Sequence, residues 1–299
     1  MSGQRTAGAS ADARLAPSGG GPARRTSAWA ALGRTLGWQG FLSLGFLVLA
    51  AVAIAAPRIL APGDPLGISP VDAFTPPTLS HPFGTDESGR DVLTRVIHGA
   101  SASIGIGAAA TAIGIGIGAV LGAAAALGPR VLDAALGRLF EVLFALPTLV
   151  VALLLIAVIG GGTTAAVIAI GLSTIPGYAR MLRASIRGVA SSGYVEYARL
   201  DGVGRAAILV RHIAPNALWP LVSAATLGIA QAVVWVSALG FLGLGTAPPS
   251  PEWGAMLNSG RVYLASAWWM TLGPGLALVA TAAALTVLGR RFANRRQDQ

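Results

Sequence analysis

Between residues 101 and 127 the chain reads SASIGIGAAATAIGIGIGAVLGAAAAL, without one charged side chain. Wound as a helix, that stretch is about 40 Å long, against roughly 30 Å of hydrocarbon in a bilayer. Lipid offers no partner for backbone N–H and C=O groups, so such a run crosses as a helix with its hydrogen bonds satisfied internally. Similar runs at residues 38–56, 139–159, 164–178, 217–239 and 270–288 bring the predicted spans to six. The expected fold is an all-α polytopic membrane protein. Composition agrees, with 11% charged residues where a soluble domain carries about 25%. Small residues four apart in the second run predict close approach of neighbouring helix backbones.

The net charge is +9, and all 21 basic residues are arginine. Without lysine the chain cannot form a G-x-x-x-x-G-K-[ST] phosphate loop. Without cysteine it has neither disulfide nor thiol chemistry. Residues 1–37, rich in Ser, Gly, Ala and Pro, read as a disordered cytoplasmic tail. The first apolar run leads to no small-residue cleavage site, and Pro57 and Arg58 follow it directly, so it reads as a retained span.

Placement of the arginines sets the orientation. With the N-terminus inside, the inner segments hold 17 arginines and the outer ones only Arg58, Arg90, Arg95 and Arg261, while the carboxylates divide six and six. A bias carried by arginine alone is the positive-inside pattern. It predicts cytoplasmic N- and C-termini, and the basic surplus requires no nucleic acid. The expected layout is a tail (1–37), a first span (38–57) and an extracytoplasmic segment with a short amphipathic helix (58–99). A core follows (100–289), with a cytoplasmic loop at 179–216, and then a C-terminal tail (290–299).

Ion-coupled carriers place carboxylates or histidines along their path. Here the spans hold almost no ionisable group beyond Glu141, and their polar content is mainly Gln231, Trp235, Ser and Thr. Gln231 and Trp235 are the pore-side candidates. The three histidines, His81, His98 and His212, fall on opposite sides of the membrane with no H-E-x-x-H pattern, so no metal site is expected. A stand-alone channel or secondary carrier, and a membrane-embedded enzyme, fit this inventory poorly.

Among these runs, VEYARLDGVGRAAILVRHIAP (195–215) is anomalously polar. Ser191 or Ser192 is placed to cap a short helix through Arg199, with Tyr194, Val195 and Ala198 on one face. Gly202 offers a left-handed stop. A second short helix, about 205–212, is expected to end ahead of Pro215, with Asn216 capping the next span. On physical grounds alone this is also an interfacial hairpin with arginines on lipid phosphates.

Glu196, Ala198, Gly202 and Ile213-Ala214-Pro215 resemble the cytoplasmic EAA loop of ABC-importer permeases. HPFGTDESGRDVLTRVIHGA (81–100) and FLGLGTAPPSPEWGAML (241–257) resemble two further segments of the dipeptide, oligopeptide and nickel branch. The likeness spans about residues 39–290, in family order, and is nearer to the second, C-type, permease subunit. It implies a type I ABC importer transmembrane domain, itself non-catalytic, importing di- or oligopeptides or, as others in the branch do, nickel or another small solute. It implies a homologous second permease, two ATPase subunits carrying ATP and Mg, and an extracytoplasmic solute-binding protein. Glu196, Tyr197, Ala198, Gly202, Arg205, Ile213 and Pro215 would then form the ATPase-coupling element. Departures are Tyr197 for the usual Ala, Asp201 for an apolar residue, Val236 for a frequent glutamate and Arg290 for a frequent aspartate.

In the outer segment, Ser88 is placed to cap a helix from Gly89, with Asp91 at its positive end and Val92, Leu93, Val96 and Ile97 on one apolar face. Asp86, Arg90 and Asp91 read as a structural network of caps and ion pairs. Pro248, Pro249 and Pro251 stiffen the loop before Trp253, an expected interfacial aromatic.

Overall fold

A computed structural model describes the backbone of residues 28–294 and the side chains of residues 38–291. The expected tails at 1–27 and 295–299 lie outside the described residues. The chain divides into two units, Met1–Thr35 and Leu36–Gln299, and the second carries the packing described here. The described helices of eight residues or more are α1 (Ala28–Ala55), α2 (Val92–Leu127), α3 (Arg130–Phe144), α4 (Thr148–Ile159), α5 (Thr163–Ala190), α6 (Gly193–Leu200), α7 (Arg205–Phe241), α8 (Trp253–Gly260) and α9 (Trp269–Asn294). Five of them, α1, α2, α5, α7 and α9, are long and apolar enough to cross a membrane, and the α3–α4 pair makes a sixth span if counted as one.

Prolines mark where helices depart from the expected spans. The third run does not continue straight through 139–159, because α3 and α4 meet at 94°. Pro147 lacks an N–H and disfavours helix in the residue before it, so the chain turns at Ala145 to Pro147. Pro176 has no such effect. It is buried inside α5, which runs on to Ala190, well past the expected end at Tyr178. Pro215 does not end a helix either. A widened turn at Leu209–Ile213 carries the chain past it into α7. The expected 38-residue loop at 179–216 therefore shrinks to α6 and its two short connections. α1 begins at Ala28, within the expected tail, on an alanine-rich sequence with high helix propensity. Likewise α9 continues beyond 288 to Asn294.

α2 and α5 lie parallel with their backbones in contact. A Cβ at Gly118 would fall 2.8 Å from Tyr178 Cβ and 3.0 Å from the Ile175 carbonyl, and one at Gly122 would strike the Ala179 carbonyl. Small residues at this seam replace the water-driven packing that lipid does not supply. Overpacking costs about 1–3 kcal/mol, so Gly118→Leu should lower the thermal midpoint of the detergent-purified protein. Gly116→Leu, on an open face of the same helix, should leave it unchanged. α7 crosses α2 antiparallel, with Gly107 against Val233. This places the start of α2, α8 and the start of α9 at one end of the bundle and α6 at the other.

Candidate functional site

α6 sits in the elbow where α5 ends and α7 begins. Val195 and Ala198 are buried against Leu182 and Ile186 of α5 and Ile208, Ile213 and Ala217 of α7. The opposite face, with Glu196, Tyr197, Arg199 and Leu200, is exposed, Tyr197 by 67%. Tyr194 is also exposed and does not share the buried face expected of it; its ring lies out beside that of His212, centroids 6.4 Å apart. Ser192 precedes the helix but does not cap it; its hydroxyl donates to the Val189 carbonyl at 2.5 Å.

The C-terminal stop is a Schellman motif. Gly202, at φ +77°, donates to the Arg199 carbonyl at 3.1 Å, and Val203 donates to the Ala198 carbonyl at 3.1 Å. Val203 then packs beside Ala198 in the same cluster. Of the expected coupling residues, Ala198 and Ile213 meet in that cluster. Glu196, Tyr197, Arg205 and Pro215 face outward, and Gly202 sets the turn. Asn216 does not cap the span; its amide donates to the His212 carbonyl within α7 at 2.8 Å.

The helices that clasp α6 also wall a cleft of about 360 Å³. α5 contributes Thr174 and Tyr178, α7 contributes Gly228, Gln231 and Trp235, and the α3–α4 elbow contributes Phe144. Gln231 and Trp235 thus share one cavity. Val236 does not. It is buried with Ala152 and Ile170, so its side chain faces the core. The elbow is held to α5 by charge: Asp133 of α3 accepts from Arg183 Nε at 2.5 Å and pairs with Arg187 at 2.6 Å. Arg180 stacks 3.7 Å over the Phe144 ring.

At the opposite end, the segment before α2 folds around Asp86. One carboxylate oxygen accepts from the Ser88 and Arg90 amides at 2.9 and 3.0 Å. The other accepts from Arg90 Nε and Arg95 Nη1, both at 2.7 Å. All three side chains are buried. Arg95 reaches on to the Pro249 carbonyl at 3.1 Å, tying the network to the proline loop. The cap of α2 is Asp91 and not Ser88: its carboxylate accepts from the Thr94 amide at 2.7 Å and faces His81 at 3.1 Å. Gly89, the expected helix start, is instead a turn residue at φ +75°. The separate amphipathic helix is absent from the described residues, because Val92 already opens the helix that runs to Leu127.

Trp253 is not an interfacial aromatic. It is 2% exposed, with its indole N–H donating to the Val96 carbonyl at 2.9 Å. Beside it lies Glu252, a buried carboxylate that sequence reasoning missed. It caps α8 by accepting from the Gly254 and Ala255 amides at 2.8 Å, and the Ser103 hydroxyl of α2 lies 3.4 Å away. Burial pushes this carboxyl above its ordinary pKa, while those two amides and the hydroxyl oppose the shift. Glutamate is an uncommon N-cap, so the only sequence cue was a lone charge between Pro251 and an apolar helix.

Residues 114–297 match the family described as binding-protein-dependent transport system inner membrane component. The di/tripeptide transport system permease protein DppC of Pseudomonas aeruginosa is 36% identical, over 84% of this chain and 88% of that protein. A putative peptide transport system permease protein of Brucella suis is 39% identical, over 82% and 83%. The probable D,D-dipeptide transport system permease protein DdpC of Escherichia coli is 38% identical, over 77% of each. In three dimensions the fold is shared with a chain of the MetNI methionine ABC transporter in an inward-facing conformation (TM-score 0.55, 18% identity, 67% of this chain and 95% of that one). With a type I importer architecture, a helix clasped between two spans and relatives along most of its length, the chain belongs to the binding-protein-dependent transport system inner membrane components, among the C-type ABC-importer permeases.

Proposed function

We propose that this chain is the C-type permease of an ATP-driven peptide importer, forming half of the translocation pathway. The observation that carries this reading is that α5 and α7 both clasp α6 and wall the cleft, so displacement of α6 reshapes the cleft. The names of relatives 36–39% identical to this chain favour di- or oligopeptides as cargo. A homologous permease completes the pathway, one of two ATPase subunits docks on the exposed face of α6, and a solute-binding protein delivers peptide to the opposite end. ATP and Mg bind the ATPases, and this chain performs no chemistry itself. The excess of arginine on the α6 side supports a cytoplasmic location for that side and for both termini.

Access alternates as ATP-driven closure of the ATPases pushes α6. Buried Val195 and Ala198 pass that motion to Ile186 and Ile213, and α5 and α7 tilt about their packed crossings with α2. Reconstitution tests the assignment. The chain should co-purify with an ATPase pair encoded beside it, and the assembly should import labelled dipeptide only with ATP and the loaded binding protein. Uptake into vesicles holding this chain alone, driven by an ion gradient, would overturn it. ATP-driven import confined to nickel or another small solute would replace the cargo and keep the mechanism.

A further inference from the structure

The cleft wall carries a phenol that neither the family likeness nor the pattern of spans assigns. Tyr178 leaves α5 and threads its ring between α2 and α7. A Cβ at Gly114 would lie 3.1 Å from Tyr178 Cε2, and one at Gly228 would strike the phenol oxygen. Glycine at 114, 118 and 228 therefore forms a slot shaped to the ring and holds the hydroxyl at the cleft wall. A phenol this enclosed normally finds a hydrogen-bond partner. The Tyr178 hydroxyl has none among the described residues.

Its neighbours in the wall differ. The Ser173 and Thr174 hydroxyls donate to their own helix, to the Ile170 carbonyl at 2.9 Å and the Gly171 carbonyl at 2.8 Å. Gln231, one helical turn beyond Gly228, offers a carboxamide that likewise has no partner among the described residues. Residues so spaced on a helix are neighbours, with Cβ atoms about 5–6 Å apart, so Gln231 and the phenol oxygen beside Gly228 line the same stretch of the cleft wall. No acidic or basic side chain lines the cleft. An amide and a phenol on an uncharged wall match the C=O and N–H of a peptide group, not a charged terminus.

We propose that Tyr178 is a substrate-contacting residue: its hydroxyl donates to a backbone carbonyl of the peptide in transit, while the Gln231 carboxamide accepts from the N–H. Recognition is then of the peptide bond itself and is indifferent to side-chain charge. The inference rests on the peptide-importer reading above.

The test uses the complete transporter in proteoliposomes, with binding protein, ATP and a labelled dipeptide. Tyr178→Phe keeps the ring in its slot and removes only the hydroxyl. One lost hydrogen bond corresponds to about a three- to ten-fold fall in kcat/KM for import, with the affinity of the separate binding protein unchanged. The decisive arm compares the dipeptide with its reduced CH2–NH analogue, each corrected for its affinity for the binding protein. The unaltered transporter should prefer the dipeptide by about that factor, and Tyr178→Phe should lose the preference. Equal import by Tyr178→Phe and the unaltered protein, or a preference that survives the substitution, overturns the contact alone. An assembly that imports no peptide overturns the peptide reading and this inference with it.

Discussion

Asp86→Ala is expected to cost about 3–5 kcal/mol of stability, the usual penalty for stranding buried charge. Asp86 is the shared counter-ion of the buried Arg90 and Arg95; Arg90 keeps a second carboxylate in Glu87 at 2.8 Å, so the charge stranded is that of Arg95. Removing the carboxylate also strips the partner from the Ser88 and Arg90 amides, which shape the turn into α2. The effect should appear as a large drop in thermal midpoint of the purified protein, or as failure to accumulate in the membrane. Asp86→Asn preserves the acceptor and loses the charge, so it should fall between. An Asp86→Ala protein as stable as its parent would show that the network contributes little. A surface ion pair such as Arg138–Glu141, exposed on both sides, provides the contrast, with an expected loss below about 1 kcal/mol.

Transport should be lost without loss of the protein when the outer face of α6 is altered. Glu196→Arg changes a side chain that is exposed and buries nothing, so insertion and thermal midpoint should be unaffected while ATP-driven uptake is abolished. Gly202→Val acts differently. No neighbour lies within 4 Å of a Cβ at that position, so the obstacle is the left-handed backbone, about 1–2 kcal/mol for an L-residue. Relieving that strain unwinds the Schellman turn and re-aims α6 relative to α7. Uptake should fall below detection while ATPase subunits still hydrolyse ATP, an uncoupled signature. Normal uptake by both variants would sink the coupling role of α6.

What was legible in the sequence follows from which interactions are local. Apolar runs identified each membrane-crossing helix because the requirement they answer, internal backbone hydrogen bonding in lipid, is met within the segment. The stop at Gly202 was readable for the same reason. Prolines were not, because their consequence depends on neighbours. Pro147 bends the chain where α3 meets α4, whereas Pro176 is carried inside a helix packed against α2 and Pro215 is absorbed in a widened turn. Trp253 looked interfacial from its place in an outer loop, but its setting comes from α2, more than 140 residues earlier, through the Val96 carbonyl. Glu252 and Tyr178 were missed on similar grounds: a cap is unremarkable until its burial is known, and a slot made of three glycines exists only once α2, α5 and α7 have met.

The tight crossing of α7 over Gly107 of α2 has a mechanical consequence. At 1.5 Å per residue, the axis of α7 runs about 30 Å from Val233 to Ile213, where α6 is clasped, but only about 12 Å from Val233 to Phe241. A rigid rod pivoting at that point has unequal arms, and the proposed input at α6 falls on the long one. Travel shrinks by more than half between the two ends while force grows in the same proportion. Gln231 and Trp235 flank the fulcrum, where a rod rotates almost without sliding. A solute held there would see its walls turn around it and would hardly be dragged along.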